Sequence, residues 1–262
     1  RLAQKDYQVV TVTHVETSTG VAAPVADIAR TVRAKSGALY VVDGVAATGG
    51  VEETLDPMGI DMLLPCSQKA FGVSPGLAML WAGKRAMEKR ATLGRIPESY
   101  VDFDKWLPIM HNPAKYWGTP PVNLIWALKE SLRIMKEEGL QERYARHARQ
   151  GALVDAAMEA LGFSVAARKP FRAPTLSVYL YPEDSGLDDA AFRTTLAEEG
   201  VQSAGCLGEY QGKGFRLGHM GNIDKHTLVS ALAAVERACS KCGYQPGFGK
   251  GLAVLQEGLA AE

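Results

Sequence analysis

Cysteine is scarce in this sequence, with four residues in 262, at positions 66, 206, 239 and 242. A chain of this length that depended on disulfides would carry more, so we expect no disulfide framework and a reducing, cytoplasmic setting. Cys239 and Cys242 form a C-x-x-C, but no second Cys/His pair accompanies them to complete a zinc site. The sequence therefore predicts no structural metal.

An excess of one charge, long apolar runs and a dinucleotide-binding loop are also missing. Lys and Arg together number 29, as do Asp and Glu, which gives no electrostatic reason to expect nucleic acid or an anionic membrane as partner. The apolar runs are short and interrupted, so no segment is expected to span a bilayer. No G-x-G-x-x-G follows a predicted strand, which argues against a nicotinamide dehydrogenase.

The chain begins at Arg1, and only a short polar stretch precedes its first predicted strand. We therefore expect that an N-terminal portion of the natural protein is absent from this sequence. For the same reason, targeting by an N-terminal segment cannot be judged here.

Short β-rich runs alternate with a helical pattern in the first part of the chain. Strands are predicted at Tyr7–Thr13, Leu39–Val42, Ile60–Leu64 and Leu77–Trp81, with a helix over Pro24–Lys35. Strands that alternate with helices and short polar loops are typical of an α/β domain with a mainly parallel sheet.

Two long helical patterns, Val122–Glu138 and Gln141–Leu161, meet at Gly139. The second is rich in Arg, as a solvated or subunit-facing helix would be. From Phe163 onward, short strands and helices alternate and predict a smaller C-terminal α+β domain. We place the large domain at residues 1–140 and the small domain, with its linking helix, at 141–262. The strands of the small domain are predicted at Ser164–Ala167, Thr175–Leu180 and Phe215–Leu217, and its helices at Asp188–Glu199 and Asp224–Cys239.

Polar residues follow three of the predicted strands directly. They are His14–Gly20, Asp43 and Ser67–Lys69. Ligands of parallel α/β sheets bind at the carboxyl ends of the strands, so these residues are expected to gather at one sheet edge. Each also has a simpler interpretation, as a helix cap, a turn aspartate or a surface lysine.

The lysine segment resembles a known signature. Ile60–Leu80 reads I-D-M-L-L-P-C-S-Q-K-A-F-G-V-S-P-G-L-A-M-L and is similar to the cofactor-lysine segment of the class V aminotransferases. Val41–Gly50 (V-V-D-G-V-A-A-T-G-G) and His14–Gly20 (H-V-E-T-S-T-G) resemble the family's two upstream segments, and Tyr116–Pro121 (Y-W-G-T-P-P) and Phe215–Gly221 (F-R-L-G-H-M-G) follow in the family's order. The resemblance spans essentially the whole chain and is nearest to the serine–pyruvate/alanine–glyoxylate group. It implies a fold type I enzyme that uses pyridoxal 5'-phosphate.

The resemblance also implies residue roles. Lys69 would hold the cofactor as a Schiff base and then move a proton on the substrate, while Asp43 would pair with the pyridine nitrogen. Val45 would pack on one face of the ring, and Thr17 and Gln68 would contact the cofactor. Thr17 could instead serve only as a turn or helix cap.

Further roles implied by the resemblance lie outside the lysine segment. Arg216 would clamp the substrate α-carboxylate, since its planar fork suits a carboxylate; its alternative is a surface salt bridge. Tyr116 and Thr119 would reach the phosphate bound to the other subunit, so a homodimer with shared active sites is expected. The main phosphate cup and the stacking aromatic would lie upstream of Arg1. We leave His219 without a role and interpret Cys66 as a small packed residue.

The implied reaction moves an amino group from alanine or serine to glyoxylate or pyruvate by a ping-pong mechanism. Other donors that stay open are 2-aminoethylphosphonate and ureidoglycine. A cysteine desulfurase-like lyase is also open, although that branch has His where this sequence has Gln68. A cofactor-binding fragment without turnover is the non-enzyme alternative.

Overall fold

The computed structural model describes residues 1–97 and 99–261. The strands in this part of the chain are β1 (Val9–Thr13), β2 (Val15–Glu16), β3 (Val21–Ala22), β4 (Leu39–Asp43), β5 (Met62–Leu64), β6 (Trp81–Ala82), β7 (Ser164–Val165), β8 (Leu176–Leu180), β9 (Ala204–Gly205) and β10 (Gly214–Gly218). The helices are α1 (Val25–Lys35), α2 (Leu55–Met58), α3 (Lys84–Thr92), α4 (Phe103–His111), α5 (Val122–Glu138), α6 (Leu140–Ala160), α7 (Asp189–Glu198), α8 (Lys225–Lys241) and α9 (Lys250–Ala260).

The first sheet has the strand order β1-β4-β5-β6. The β1–β4 and β4–β5 pairs are parallel, and β6 joins β5 antiparallel. The mainly parallel α/β fold predicted from the sequence is thus confirmed. The register sets Asp43 opposite Thr13 on one side and opposite Leu64 on the other, so the carboxyl ends of these three strands are level.

The predicted strand Leu77–Trp81 is wrong over most of its length. Strand β6 begins only at Trp81, because the preceding residues pair with the loop that carries Lys69. The Ser67 amide donates to the Leu77 carbonyl at 3.1 Å, and the Met79 amide to the Pro65 carbonyl at 3.0 Å. The apolar run therefore closes that loop instead of extending the sheet.

Helix α1 covers the first sheet with one apolar face. Val25, Ala29 and Val32 are buried and follow helical spacing. They pack against the buried sheet residues Tyr40 and Leu63. Burial of these side chains fixes the strands whose ends carry the polar residues.

The second sheet has the order β7-β8-β10-β9 and is antiparallel throughout. Strands β7, β8 and β10 and helices α7 and α8 lie where the sequence predicts them, whereas β9 was not predicted. Its aromatic core contains Phe163, Tyr179, Phe192 and Phe215. The division at residue 140 stays a prediction, and the last residue of the predicted small domain, Glu262, lies outside the described residues.

Helix α6 packs on the second sheet and also contacts the loops that follow β4 and β5. Its C-terminal half contributes Val154 and Met158 to the core of the second sheet. Helix α9 packs along α6 through the buried Leu255. None of the helices within residues 1–97 and 99–261 is both long and apolar enough to cross a membrane.

Candidate active site

Asp43 is the last residue of β4 and is fixed by its neighbours. Its carbonyl accepts the His14 amide at 2.9 Å, and its Oδ1 accepts the Val45 amide at 2.9 Å. The second contact is the turn that a simple structural aspartate would also make. It leaves Oδ2 without a hydrogen bond to any residue in the described part of the chain, so this oxygen is available to a ligand.

Lys69 lies in a tight loop that follows β5. The Gly72 amide donates to the Lys69 carbonyl at 2.8 Å, and the Val73 amide to the Ser67 carbonyl at 3.0 Å. The buried Ser67 hydroxyl donates to the Ser74 carbonyl at 2.9 Å. Lys69 itself is half-buried, and across residues 1–97 and 99–261 its amine has neither a hydrogen bond nor an ion pair. Three hydrogen bonds thus hold the loop, while the Lys69 amine is unengaged.

The pKa of the Cys66 thiol is affected by both Lys69 and Asp43. Burial raises the pKa of the Cys66 thiol, the nearby Lys69 cation lowers it, and the Asp43 anion adds to the rise. Lys69 and Asp43 therefore both lie within electrostatic reach of one buried side chain. A thiol with a raised pKa is mostly protonated at neutral pH, which fits a packed residue better than a sulfur nucleophile.

A buried polar network under the Asp43 turn was not predicted from the sequence. His14 Nδ1 lies 2.6 Å from Glu53 Oε1, and the Thr48 hydroxyl donates to the other oxygen of Glu53. All three side chains are buried. Gly44 lies against this network, because a Cβ there would be 2.3 Å from Thr48 Oγ1.

Arg216 extends from β10 toward the loop between β2 and β3. Its Nε donates to the Gly205 carbonyl at 2.8 Å, and its Nη1 to the Thr17 carbonyl at 3.4 Å. Among the described residues no carboxylate forms an ion pair with Arg216, so the surface salt bridge is not its role here. The structure thus brings Arg216 to Thr17, although no hydrogen bond of the described residues joins it to Asp43 or Lys69.

The other predicted site residues are more exposed. Gln68 is exposed beside Lys69, and Val45 is half-buried beside Asp43. Tyr116 and Thr119 lie on the exposed connection between α4 and α5. No hydrogen bond in the described chain links these two side chains to Lys69, so their roles stay predictions.

The expectation of a solvated or subunit-facing α6 is wrong for its first turns. Arg143 is completely buried and bonds to main-chain carbonyls of other segments, as does the mostly buried Arg146. His147 is also buried, its Nε2 accepts the Gly221 amide at 2.9 Å, and burial lowers its pKa to about 4. Spacing offered a signal, since residues 143, 147, 151 and 155 lie on one helical face and all are buried.

His219, left without a role above, is also buried. Its Nε2 lies 3.2 Å from the Ser177 hydroxyl, and burial lowers its pKa to about 4. Ser177 in turn donates to Asp155 at 2.7 Å. These contacts place His219 inside the second sheet's packing and not among the polar strand ends.

An unengaged lysine amine and a carboxylate with one unengaged oxygen follow adjacent strands of a mainly parallel sheet, as in fold type I enzymes. The sequence matches the profile of the Aminotransferase class-V family over residues 1–204. The chain belongs to this family.

Named relatives support the same assignment. An L-aspartate–glyoxylate aminotransferase of Paracoccus denitrificans is 34% identical over 256 residues, which is 96% of this chain and 63% of the relative. A serine–glyoxylate aminotransferase of Hyphomicrobium methylovorum is 32% identical over 256 residues, with 96% and 62% covered. The crystal structure of a ureidoglycine–glyoxylate aminotransferase from Bacillus subtilis superposes with a TM-score of 0.89 at 28% identity, covering 97% of this chain and 65% of that one. This chain therefore spans less than two thirds of the length of the relatives that it matches.

The family's cofactor is pyridoxal 5'-phosphate, and the side chains at the strand ends fit it. The Lys69 amine and Asp43 Oδ2 lack hydrogen-bond partners in the described part of the chain. The charges of both residues act on the pKa of the same thiol, that of Cys66. An imine-forming amine and an acid for the pyridine nitrogen are the two groups that this cofactor requires.

Proposed function

We propose that this chain carries the catalytic centre of a pyridoxal-phosphate-dependent aminotransferase, with Lys69 as the cofactor-bearing residue. The observation that supports this most is the placement of Lys69 and Asp43 after adjacent parallel strands, each with an unengaged polar group. The family and the three relatives support the same reaction class.

Each residue near the strand ends has a defined task in this proposal. When bound, the cofactor supplies an electron sink for negative charge at the substrate Cα. Asp43 Oδ2 would accept a hydrogen bond from the pyridine N–H and keep that nitrogen protonated. Lys69 Nζ would hold the cofactor and, once freed by the incoming amine, would move the proton of the substrate Cα. Val45 would pack on the ring, and Thr17 and Gln68 would position it.

Arg216 binds the α-carboxylate of the substrate in this proposal. Its Nε donates to the Gly205 carbonyl, which restricts the orientation of the guanidinium plane. A planar fork held this way can grip a carboxylate with two hydrogen bonds. The contact with the Thr17 carbonyl sets that fork beside a residue proposed to touch the cofactor.

The substrates that we propose are alanine or serine as donor and glyoxylate or pyruvate as acceptor, in a ping-pong cycle. The three relatives have different donors in their names but share glyoxylate. These names support glyoxylate as one of the two proposed acceptors and leave the donor to be measured. Ureidoglycine is the second candidate donor, because the relative with that donor superposes at a TM-score of 0.89.

A homodimer with shared active sites is part of the proposal. Large apolar side chains are exposed on and around α4 and α5, including Tyr116, Trp117, Ile125 and Trp126. Exposed apolar clusters of this kind mark protein contacts. Tyr116 and Thr119 would then reach the partner's cofactor phosphate. A cytoplasmic location is proposed on the scarcity of cysteine alone.

The test uses the natural full-length protein with cofactor added. L-alanine should bleach the visible band of the lysine-bound cofactor, and glyoxylate should restore it. Lys69→Ala should lack that band, whereas Lys84→Ala should keep it, because Lys84 is exposed and its one ion pair within the described residues is with Glu88. A band that ignores alanine but responds to ureidoglycine or 2-aminoethylphosphonate would change the donor, and sulfide released from cysteine would indicate the lyase. A wild-type protein that binds no cofactor would refute the proposal, whereas one that binds cofactor but responds to none of these substrates would favour the cofactor-binding fragment without turnover.

A further inference from the structure

Arg143 occupies an unusual position for an arginine, since its side chain is completely buried in α6. Its Nε donates to the Gly49 carbonyl at 2.8 Å, and its Nη2 to the Ala70 carbonyl at 2.7 Å. Its Nη1 donates to Glu138 at 2.7 Å and to Asn222 Oδ1 at 3.0 Å. All three nitrogens of the guanidinium are therefore engaged.

The partners of Arg143 belong to the segments that carry the proposed site. Ala70 directly follows Lys69, and Gly49 closes the turn that begins after Asp43. Asn222 lies in the loop that follows β10, the strand of Arg216. One planar group thus connects the segments of the lysine, the acid and the carboxylate clamp.

Neighbouring side chains of α6 complete the arrangement. Arg146 donates to the Gly221 carbonyl at 2.9 Å, and His147 accepts the Gly221 amide at 2.9 Å. Burial opposes ionisation of Glu138, yet hydrogen bonds from Arg146 and Arg143 hold the pKa of its carboxyl below its usual range. The charge of Arg143 is therefore balanced by an ionised Glu138 at the same junction.

We propose that Arg143 is a positioning residue that fixes the Lys69 loop relative to the Asp43 turn by holding the Ala70 and Gly49 carbonyls together. The effect of Arg143 on catalysis rests on the proposed function. Its role in fixing the Lys69 loop does not. Lysine cannot replace the guanidinium here, because a single ammonium lacks the rigid fork that serves two carbonyls and a carboxylate at once. A misplacement of a reacting amine by about 1 Å can cost on the order of 100-fold in rate.

Amide hydrogen exchange of the full-length protein, with and without cofactor, tests the structural part. In Arg143→Met, the Gly72 and Val73 amides of the Lys69 loop should exchange at least about tenfold faster, because local opening becomes easier. Arg237→Met is the matched control, since Arg237 lies on an exposed face of α8 and pairs with Glu199. The inference is wrong if the Gly72 and Val73 amides are equally protected in both variants. It is also wrong if their protection falls by the same factor as that of the core amides of β8 and β10.

Steady-state kinetics and circular dichroism of the cofactor band test the catalytic part. Arg143 touches no substrate in this account, so Arg143→Lys should lower kcat about tenfold or more while KM for the amino donor stays within about twofold. The dichroism of the cofactor band should change in the same variant, because the direction of Lys69 changes. If Arg143→Met does not fold, the exchange test is read from Arg143→Lys. If kcat and the dichroism of Arg143→Lys equal those of the wild type, the positioning role is refuted. If the wild-type protein binds no cofactor, only the proposed function is refuted.

Discussion

Gly44 is the residue on which the shape of the Asp43 turn depends most directly. In Gly44→Ala the added methyl would lie 2.3 Å from Thr48 Oγ1, 2.8 Å from Leu63 Cδ1 and 3.1 Å from Glu53 Oε1. Contacts this short cannot persist, so either the turn or its neighbours must move.

The neighbours have little freedom to move. Thr48 donates to Glu53, and Glu53 also contacts His14 Nδ1 at 2.6 Å, so rotating the threonine breaks a buried network. Overpacking of a core costs about 1–3 kcal/mol, and a buried polar group left without its partner costs about 1–3 kcal/mol more. We therefore expect Gly44→Ala to lower the free energy of unfolding by about 2–6 kcal/mol and to displace Asp43.

Urea denaturation of the cofactor-free protein measures this loss, and cofactor titration measures the displacement. Gly37→Ala is the matched control, because a Cβ at Gly37 meets no atom within 4 Å. The control should change the free energy of unfolding by less than about 1 kcal/mol. If the two variants are equally stable and bind cofactor equally, the assignment of the turn to this network is wrong.

Three further predictions concern pH, a buried contact and the carboxylate clamp. The folded pKa of His147 is about 4 against about 6.5 when unfolded, so the unfolded chain binds an extra proton between these values. Stability should fall as pH drops through that window, by about 3 kcal/mol more in wild type than in His147→Gln, measured by urea denaturation at each pH. Thr175→Val removes a buried bond to the Ala46 carbonyl of 2.6 Å and should cost about 1–3 kcal/mol by the same assay. Arg216→Lys should raise KM for L-alanine about 10- to 100-fold in steady-state kinetics, while cofactor affinity is unchanged.

Each of these has its own control. A stability difference between wild type and His147→Gln that does not vary with pH would contradict the protonation argument. Thr31→Val, on the exposed face of α1, should cost much less than Thr175→Val. For Arg216→Lys, an unchanged KM for alanine would remove the arginine from the carboxylate site, and retained activity on 2-aminoethylphosphonate alone would favour that donor.

The fold was largely predictable because its periodicities are local. The apolar face of α1 and the β-rich run of β4 are visible within single windows of the sequence. The order of strand, lysine and glycine-containing loop also resembles the family's signature within a single stretch of sequence. The run before β6 was misread because an apolar segment that closes a loop has the same composition as a strand.

The supporting network was not predictable in the same way. Arg143 lies 73 residues from Ala70 and 94 from Gly49, and His14 lies 39 residues from Glu53. Main-chain carbonyls carry no sequence signal, so an arginine that binds them looks like an arginine on a solvated helix. The four-residue spacing of the buried positions 143, 147, 151 and 155 on α6 was the available signal. It can be interpreted only when the fold is known.

The most direct test of this account is to reduce the full-length, cofactor-loaded protein with borohydride and to map the modified peptide by mass spectrometry. Reduction makes the bond between cofactor and lysine permanent. We predict one modified site, on Lys69, and its loss when the protein is first saturated with the amino donor. Modification of another lysine, or a bound cofactor that leaves Lys69 unmodified, would contradict the central claim.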